Sequence, residues 1–201
     1  HLVEAGELDR ALGLLEPRAE AFFDGGAPVA FVRWLRRLEA HFATLPLWTC
    51  YYLGRHYTAI GEWGAARRYL EQCKAGLKEC GATGELWRWQ PRVCLGFATM
   101  HWRRGMGDEA RTYCRRGLDF MRQQWRKGTI PEEHTASSQH VQLELLNLLA
   151  TLKLERGVYD KVEQIAAESV ALAGEAEEPC AAARALCLMG TVASHRGAFE
   201  R

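Results

Sequence analysis

The residues that could carry chemistry in this chain include seven histidines, seven cysteines and two pairs of adjacent glutamates. None of the histidines forms an HExxH motif or another pair with the spacing of metal ligands. His134 and His140 flank the polar segment EEHTASSQH, an interval that two ligands of one metal could share. The glycine, proline and polar residues around this segment favour a surface loop instead, and we predict no metal site.

The acids and hydroxyls give no catalytic arrangement either. Glu132-Glu133 and Glu177-Glu178 precede expected helices, where acids interact favourably with the helix N-terminus. No serine lies in a GxSxG motif, and no GxxxxGK[ST] loop is present to hold a nucleotide phosphate. The sequence therefore predicts a binding protein that is not an enzyme, with no catalytic residues and no cofactor.

The composition is that of an ordinary globular chain. Of the 201 residues 48% are apolar, and 26 basic residues nearly cancel 25 acidic ones, so the overall charge does not indicate nucleic acid or an acidic membrane as a partner. Most cysteines fall in apolar helical patterns, where a free cysteine behaves as a small hydrophobe. No signal peptide and no apolar run of roughly 20 residues is present. These features predict a cytoplasmic protein without membrane contact. The cysteines lie at positions 50, 73, 80, 94, 114, 180 and 187.

A repeated turn organises the chain. A glycine ends a helix in the left-handed conformation at little cost, and a small side chain soon afterwards lets the next helix approach closely. Apolar residues around the turns recur with helical spacing, and no alternation of period two indicates a strand. The pattern predicts an all-α fold of about ten helices. The turn glycines are Gly6, Gly61, Gly105, Gly157 and Gly197, and the first four are followed five positions later by Ala11, Ala66, Ala110 and Val162.

The best-preserved copy, LGRHYTAIGEWGAARRYL at residues 53–70, resembles the tetratricopeptide (TPR) consensus. His101 and Lys153 replace the consensus tyrosine, Tyr57, in later copies. The resemblance implies a right-handed superhelix of antiparallel helix hairpins, a TPR-like α-solenoid. The segment from Trp125 to Gln139 is expected to be a loop between hairpins. We accordingly predict a single domain over residues 1–201, with N-terminal helices in 1–45 and hairpins at 46–80, 91–125, 140–175 and 180–201, the last one truncated.

The N-terminal part resembles a more specific family. GELDRALGLLEPRAEAFFDGGAPVAFVRWLRRL, with a helix from Phe31 to Phe42 and a repeat from Leu47 to Cys73, is similar to the lead into the repeat domain of MalT-like transcriptional regulators of the LuxR family. The usual LPEELLxxxPxL connection is replaced by LEAHFATLPLW. In these bacterial regulators the repeat domain receives an inducer or partner and lies between nucleotide-binding and DNA-binding segments. The resemblance implies an effector-sensing module, and we expect a fragment of a longer protein.

Candidate binding residues follow from the geometry of stacked hairpins, in which the first helix of each pair lines the concave surface. Residues that packing does not use on these helices should face a groove that takes a small-molecule effector, a protein or a peptide. Aromatic rings can stack on sugars or bases, and arginine binds carboxylate or phosphate with two hydrogen bonds. Packing of Trp48 and Trp102 against the next repeat is the alternative. The predicted groove residues are Trp48, Tyr51, Arg55, Thr58, Arg92, Thr99, Trp102, Arg103, Asn147 and Thr151, with Glu155, Thr191 and His195 on the same inner faces.

Two other functions are compatible with the sequence. The chain could be a stand-alone TPR scaffold that holds a partner's peptide or helix in protein–protein interaction. Nucleic-acid binding is the third alternative, but helical spacing distributes the basic residues over more than one face, so we predict no direct nucleic-acid binding. Exposed repeat ends also predict a tendency to self-associate. The basic residues concerned are Arg103, Arg104, Arg111, Arg115, Arg116 and Arg122.

Overall fold

The computed structural model describes residues 7–24, 28–42 and 44–197 of the chain. Within these residues every regular element is a helix and no strand occurs, so the all-α prediction is confirmed. The chain forms two compact units, residues 1–78 and 79–201. The prediction of one domain over residues 1–201 stays a prediction.

The first unit contains the N-terminal helices and most of the best-preserved repeat. Its α5 begins in this unit and ends in the second. The helix predicted from Phe31 to Phe42 runs three residues earlier, because a proline can occupy the first helical position and the chain turns after Glu39. The helices are α1 (Leu8–Leu15), α2 (Ala19–Asp24), α3 (Pro28–Glu39), α4 (Leu47–Ala59) and α5 (Trp63–Thr83), and a 3-10 turn, Glu16–Arg18, joins α1 to α2 without a break.

The contact between α4 and α5 depends on small residues at the TPR-like positions. A Cβ added at Gly54 would lie 2.9 Å from Cγ of Leu70, so the backbone of α4 approaches that side chain closely. Ala66 is fully buried on α5, as the repeat pattern predicted. Ile60, which follows the last residue of α4, is 57% exposed, because α4 ends at Ala59 and Gly61 turns the chain.

The second unit is a series of helices in which each one contacts the next. In addition, α8 contacts both α6 and α10, so these three alternate helices lie side by side. The helices are α6 (Leu86–Arg103), α7 (Gly107–Lys127), α8 (Thr135–Leu154), α9 (Tyr159–Glu175) and α10 (Pro179–His195).

Two boundaries in this unit differ from the prediction. Helix α6 begins five residues before the predicted hairpin at 91–125 and continues through Pro91, where a proline near the start of a helix removes only one backbone hydrogen bond. The predicted loop from Trp125 to Gln139 is mostly helical, because Gly128, with φ of 62°, ends α7 and α8 starts at Thr135. Trp125 lies on α7 and donates a hydrogen bond of 3.1 Å to Gln142 on α8.

The turn glycines have the predicted backbone conformation. Gly61, Gly105, Gly157 and Gly197 all have positive φ, between 67° and 80°, a region that glycine adopts without the penalty of a Cβ. At Gly105 the amide of Met106 reaches back to the carbonyl of His101 at 2.9 Å, which closes the end of α6. Gly6 and the chain from residue 198 onward lie outside the described residues.

Candidate functional site

A groove of about 570 Å³ crosses α6, α8 and α10 in the second unit. Its volume lies in the range of small-molecule sites. Five of the ten predicted binding residues line it, and the inward-facing Thr191 does so as well. They come together because residues three, four or seven positions apart share one face of a helix. The five are Thr99, Trp102 and Arg103 from α6, and Asn147 and Thr151 from α8.

The floor of the groove is apolar. Leu95 of α6, Leu148 of α8 and Leu188 of α10 contribute to its lining. Leu95 and Leu148 also belong to the core shared by α6, α7 and α8. The groove therefore rests directly on packed helices, so its shape is set by the packing of the unit.

Polar side chains along the groove are held by cross-helix contacts. The indole nitrogen of Trp102 donates a hydrogen bond of 2.8 Å to a carboxylate oxygen of Glu155, just after the end of α8. On the opposite side, Arg184 of α10 forms an ion pair with Glu144 of α8. These contacts orient an aromatic ring and a guanidinium around the apolar floor.

The threonine hydroxyls have a defined direction. Thr151 donates to the carbonyl of Asn147, and Thr191 donates to the carbonyl of Cys187, each at 2.9 Å. A hydroxyl that donates in this way keeps lone pairs that can accept a hydrogen bond. Both threonines thus offer acceptors to a molecule in the groove.

Asn147 is mainly a structural part of the site. It is only 6% exposed. Its amide nitrogen donates to the carbonyl of Ala181 at 3.4 Å, and its amide oxygen accepts from the hydroxyl of Ser169 at 3.1 Å. Asn147 therefore ties α8 to both α9 and α10 and positions the groove wall.

Three of the predicted residues in the first unit are buried. Trp48, Tyr51 and Thr58 are each at most 4% exposed. The Trp48 ring lies 6.5 Å from Phe31 of α3, and Thr58 donates to the carbonyl of Gly54 at 2.8 Å. Trp48 is therefore a packing residue, but its ring partner lies on an N-terminal helix and not in the next repeat.

The other two predicted residues are also engaged in packing. Arg55 in the first unit is half-buried, with its guanidinium carbon 4.6 Å from the ring centre of Phe23. Arg92 in the second unit is buried, and it donates to the carbonyl of Arg88 at 2.9 Å and to the hydroxyl of Ser137 at 2.5 Å. Neither residue is among those that line the groove.

Sequence reasoning missed several residues of the groove. Arg184 and Cys187 lie seven and four positions before Thr191, so helical spacing from that residue could have found both. Glu144 lies seven positions before Thr151 on α8. His195, which was predicted to face inward, stacks instead on Tyr159 with ring centres 5.6 Å apart.

The basic residues predicted as an alternative nucleic-acid surface have different surroundings. Arg122 bonds to Asp119 on its own helix and to Glu168 on α9, each at 3.4 Å. Arg111 is buried and pairs with Asp108, which also contacts Arg156 at 3.3 Å. These arginines make separate local contacts.

Lys153, near the end of α8, lies in an electrostatically unfavourable position among other cations. Its repeat position is held in earlier copies by Tyr57 and His101, which stack on Tyr69 and Tyr113. Burial lowers the pKa of the Lys153 amine, and four neighbouring cations lower that pKa further. The four cations, in order of their effect, are Arg115, Arg111, Arg156 and Lys161.

Replacing Lys153 with methionine should stabilise the protein. We expect the free energy of unfolding to rise by about 0.5–1 kcal/mol, because like charges are removed and the apolar stem is kept. Urea denaturation at low and high salt measures the effect. The difference should shrink as salt rises, since salt screens charge repulsion; a variant less stable than wild type at low salt would contradict the prediction.

The two histidines that flank the polar segment lie in different environments. His134 packs on Trp87 with ring centres 5.1 Å apart, whereas Nδ1 of His140 lies 3.0 Å from a carboxylate oxygen of Glu178. No group of three or more His, Cys, Asp or Glu side chains in the described residues could hold a metal ion. In the same part of the chain, no helix has the length and hydropathy needed to cross a membrane.

Comparisons with protein-family models, curated proteins and solved structures give no match for this chain.

Proposed function

We propose that the second unit is a non-catalytic ligand-binding module whose groove across α6, α8 and α10 receives a small-molecule effector. The observation that carries this proposal is the groove itself, which three alternate helices line and to which two of them, α6 and α8, contribute five of the predicted binding residues. In the TPR-like arrangement we propose, the chain is a right-handed superhelix of antiparallel hairpins with α6, α8 and α10 as inner helices. The contacts of α8 with α6 and α10 support this arrangement.

The chemistry of the groove favours recognition over proton transfer. Glu144 is paired with Arg184, and Glu155 accepts from Trp102. A ligand with an apolar or aromatic body would cover the leucine floor and contact the Trp102 ring. Polar donors on that ligand would meet the hydroxyl oxygens of Thr151 and Thr191.

The wider role that we propose is effector sensing in a MalT-like regulator of the LuxR family. This role rests on the resemblance at residues 5–73. A bound effector would change packing between repeats and thereby shift the equilibrium of attached domains. Reading the gene on both sides tests it: a phosphate loop upstream and a helix-turn-helix downstream would support the regulator, and the absence of both would leave the protein-binding scaffold.

The groove can be tested by the reactivity of its own cysteine. Cys187 lines the groove, whereas Cys180 lies at the start of the same helix outside it, and both are exposed. A panel of sugars, nucleosides and aromatic acids is screened by thermal shift. Each hit is then tested for protection of the two cysteines from N-ethylmaleimide by mass spectrometry. The ligand is added at a concentration of about ten times its Kd. At that concentration a groove ligand should slow the labelling of Cys187 about tenfold or more and leave the labelling of Cys180 unchanged.

Two tryptophans provide matched variants for this test. Trp102→Ala should weaken binding about tenfold, since aromatic contacts contribute on the order of 1 kcal/mol or more. Trp125→Ala removes an indole that also donates across helices but does not line the groove, so binding should be retained. Hits that protect both cysteines equally, or that bind Trp102→Ala as tightly as wild type, would rule out this groove as their site.

A further inference from the structure

A second pocket, of about 490 Å³, lies between α3 and α4 in the first unit. It is lined by Val29, Val32, Arg33, Arg36, Arg37 and His56. The α3 residues share one face of the helix, since each of them lies three or four positions from another. Its length along α3, from Val29 to Arg37, is about 12 Å at 1.5 Å per residue.

The pocket concentrates positive charge. Three of its six lining residues are arginines, and its lining contains no carboxylate. Arg33, Arg36 and Arg37 make no ion pair with any acid in the described part of the chain, and all three are exposed. Arg37 leans toward the ring of Trp34, 5.8 Å from its centre. Three guanidiniums around one pocket therefore lack an acidic partner from the described residues.

The fourth polar residue of the pocket is His56, on α4. Burial lowers the pKa of His56, and the charge of Arg36 lowers that pKa further. The charged side chains that line the pocket together with His56 are the three arginines of α3. The imidazole is therefore positioned to become a cationic hydrogen-bond donor once a negative charge enters beside it.

We propose that this pocket binds a small molecule that carries phosphate groups. Arginine matches phosphate oxygens with two parallel hydrogen bonds, and three such side chains on adjacent turns suit a ligand with more than one anionic group. Val29 and Val32 provide an apolar surface for the rest of the molecule. The site is formed by residues other than those of the groove, so it does not depend on the function proposed above.

The test uses inorganic pyrophosphate as the probe and the pKa of His56 as the readout. The His56 signal is assigned by NMR with His56→Gln, and its titration is recorded with and without pyrophosphate at constant ionic strength set by chloride. An anion bound beside His56 favours the imidazolium, so the pKa should rise saturably with pyrophosphate. No rise, or an equal rise with citrate, would overturn the phosphate assignment.

Matched arginine variants locate the effect. Arg36→Ala should raise the pKa of His56 in the absence of ligand, because it removes a nearby positive charge. Arg33→Ala and Arg36→Ala should each weaken pyrophosphate binding about tenfold or more, since each loses charge-assisted hydrogen bonds. Arg67→Ala removes the same charge from an exposed site on α5 and should leave binding unchanged. If all three variants bind pyrophosphate as tightly as the wild-type protein does, this pocket is not the phosphate site.

Discussion

Replacing Asn147 with alanine should lower the free energy of unfolding by about 2–3 kcal/mol. The change removes two buried hydrogen bonds, to Ala181 and from Ser169, and leaves space at a residue only 6% exposed. Each buried hydrogen bond contributes about 1 kcal/mol net, and an unpaired buried partner adds to the loss. Urea denaturation followed by circular dichroism measures the change from the midpoint and slope.

A double-mutant cycle separates the hydrogen bond from the lost volume. Ser169 is fully buried and donates to the Asn147 amide oxygen at 3.1 Å. Ser169→Ala alone should cost about 1–2 kcal/mol, and the double variant should cost less than the sum by about 1 kcal/mol. Ser194→Ala, at an exposed position on α10, serves as the control and should stay within about 0.5 kcal/mol of wild type. Additive losses at Asn147 and Ser169 would show that the two side chains do not interact.

Asn147 also shows what sequence periodicity can predict about the site. Helical spacing placed Asn147 and Thr151 on one face of α8, and both line the groove. The spacing contains no information about hydrogen-bond partners on other helices, so the role of Asn147 in joining α8 to α9 and α10 was not predictable. Helical spacing also placed Thr99 and Trp102 on one face of α6, and both line the groove.

The rule failed in the first unit for a physical reason. It assumed that the inner face of α4 meets a groove, but aromatic residues from α2 and α3 pack on α4 there. Phe23 lies under the Arg55 guanidinium, and Phe31 packs against both Trp48 and Tyr52. These N-terminal helices do not follow the repeat pattern, so their contacts could not be derived from it. The prediction for the turn glycines was confirmed, because positive φ is a local requirement of the turn and does not depend on which helices pack around it.

Gly117 and Gly190 should respond to alanine with opposite signs. Gly117 is buried in α7, and an added Cβ would lie 2.9 Å from Cδ1 of Leu145 on α8 and 3.1 Å from Cβ of Cys94 on α6. Leucine can rotate away, but a Cβ atom moves only with its backbone, so α6 and α7 must separate. We expect a loss of about 1–2 kcal/mol, because overpacking outweighs the gain in helix propensity.

The matched glycine in α10 isolates the packing contribution. A Cβ at Gly190 would meet nothing within 4 Å, so Gly190→Ala should gain about 0.5–1 kcal/mol from helix propensity alone. Urea midpoints of the two variants measure both effects, and a stabilising Gly117→Ala would contradict the close approach of α7 to its neighbours. Because α6 and α8 both line the groove, the helix separation caused by Gly117→Ala should also weaken ligand binding in the groove. Gly190→Ala should leave that binding unchanged, since residue 190 does not line the groove. Groove affinity is therefore expected to depend on how closely α7 packs against α6 and α8.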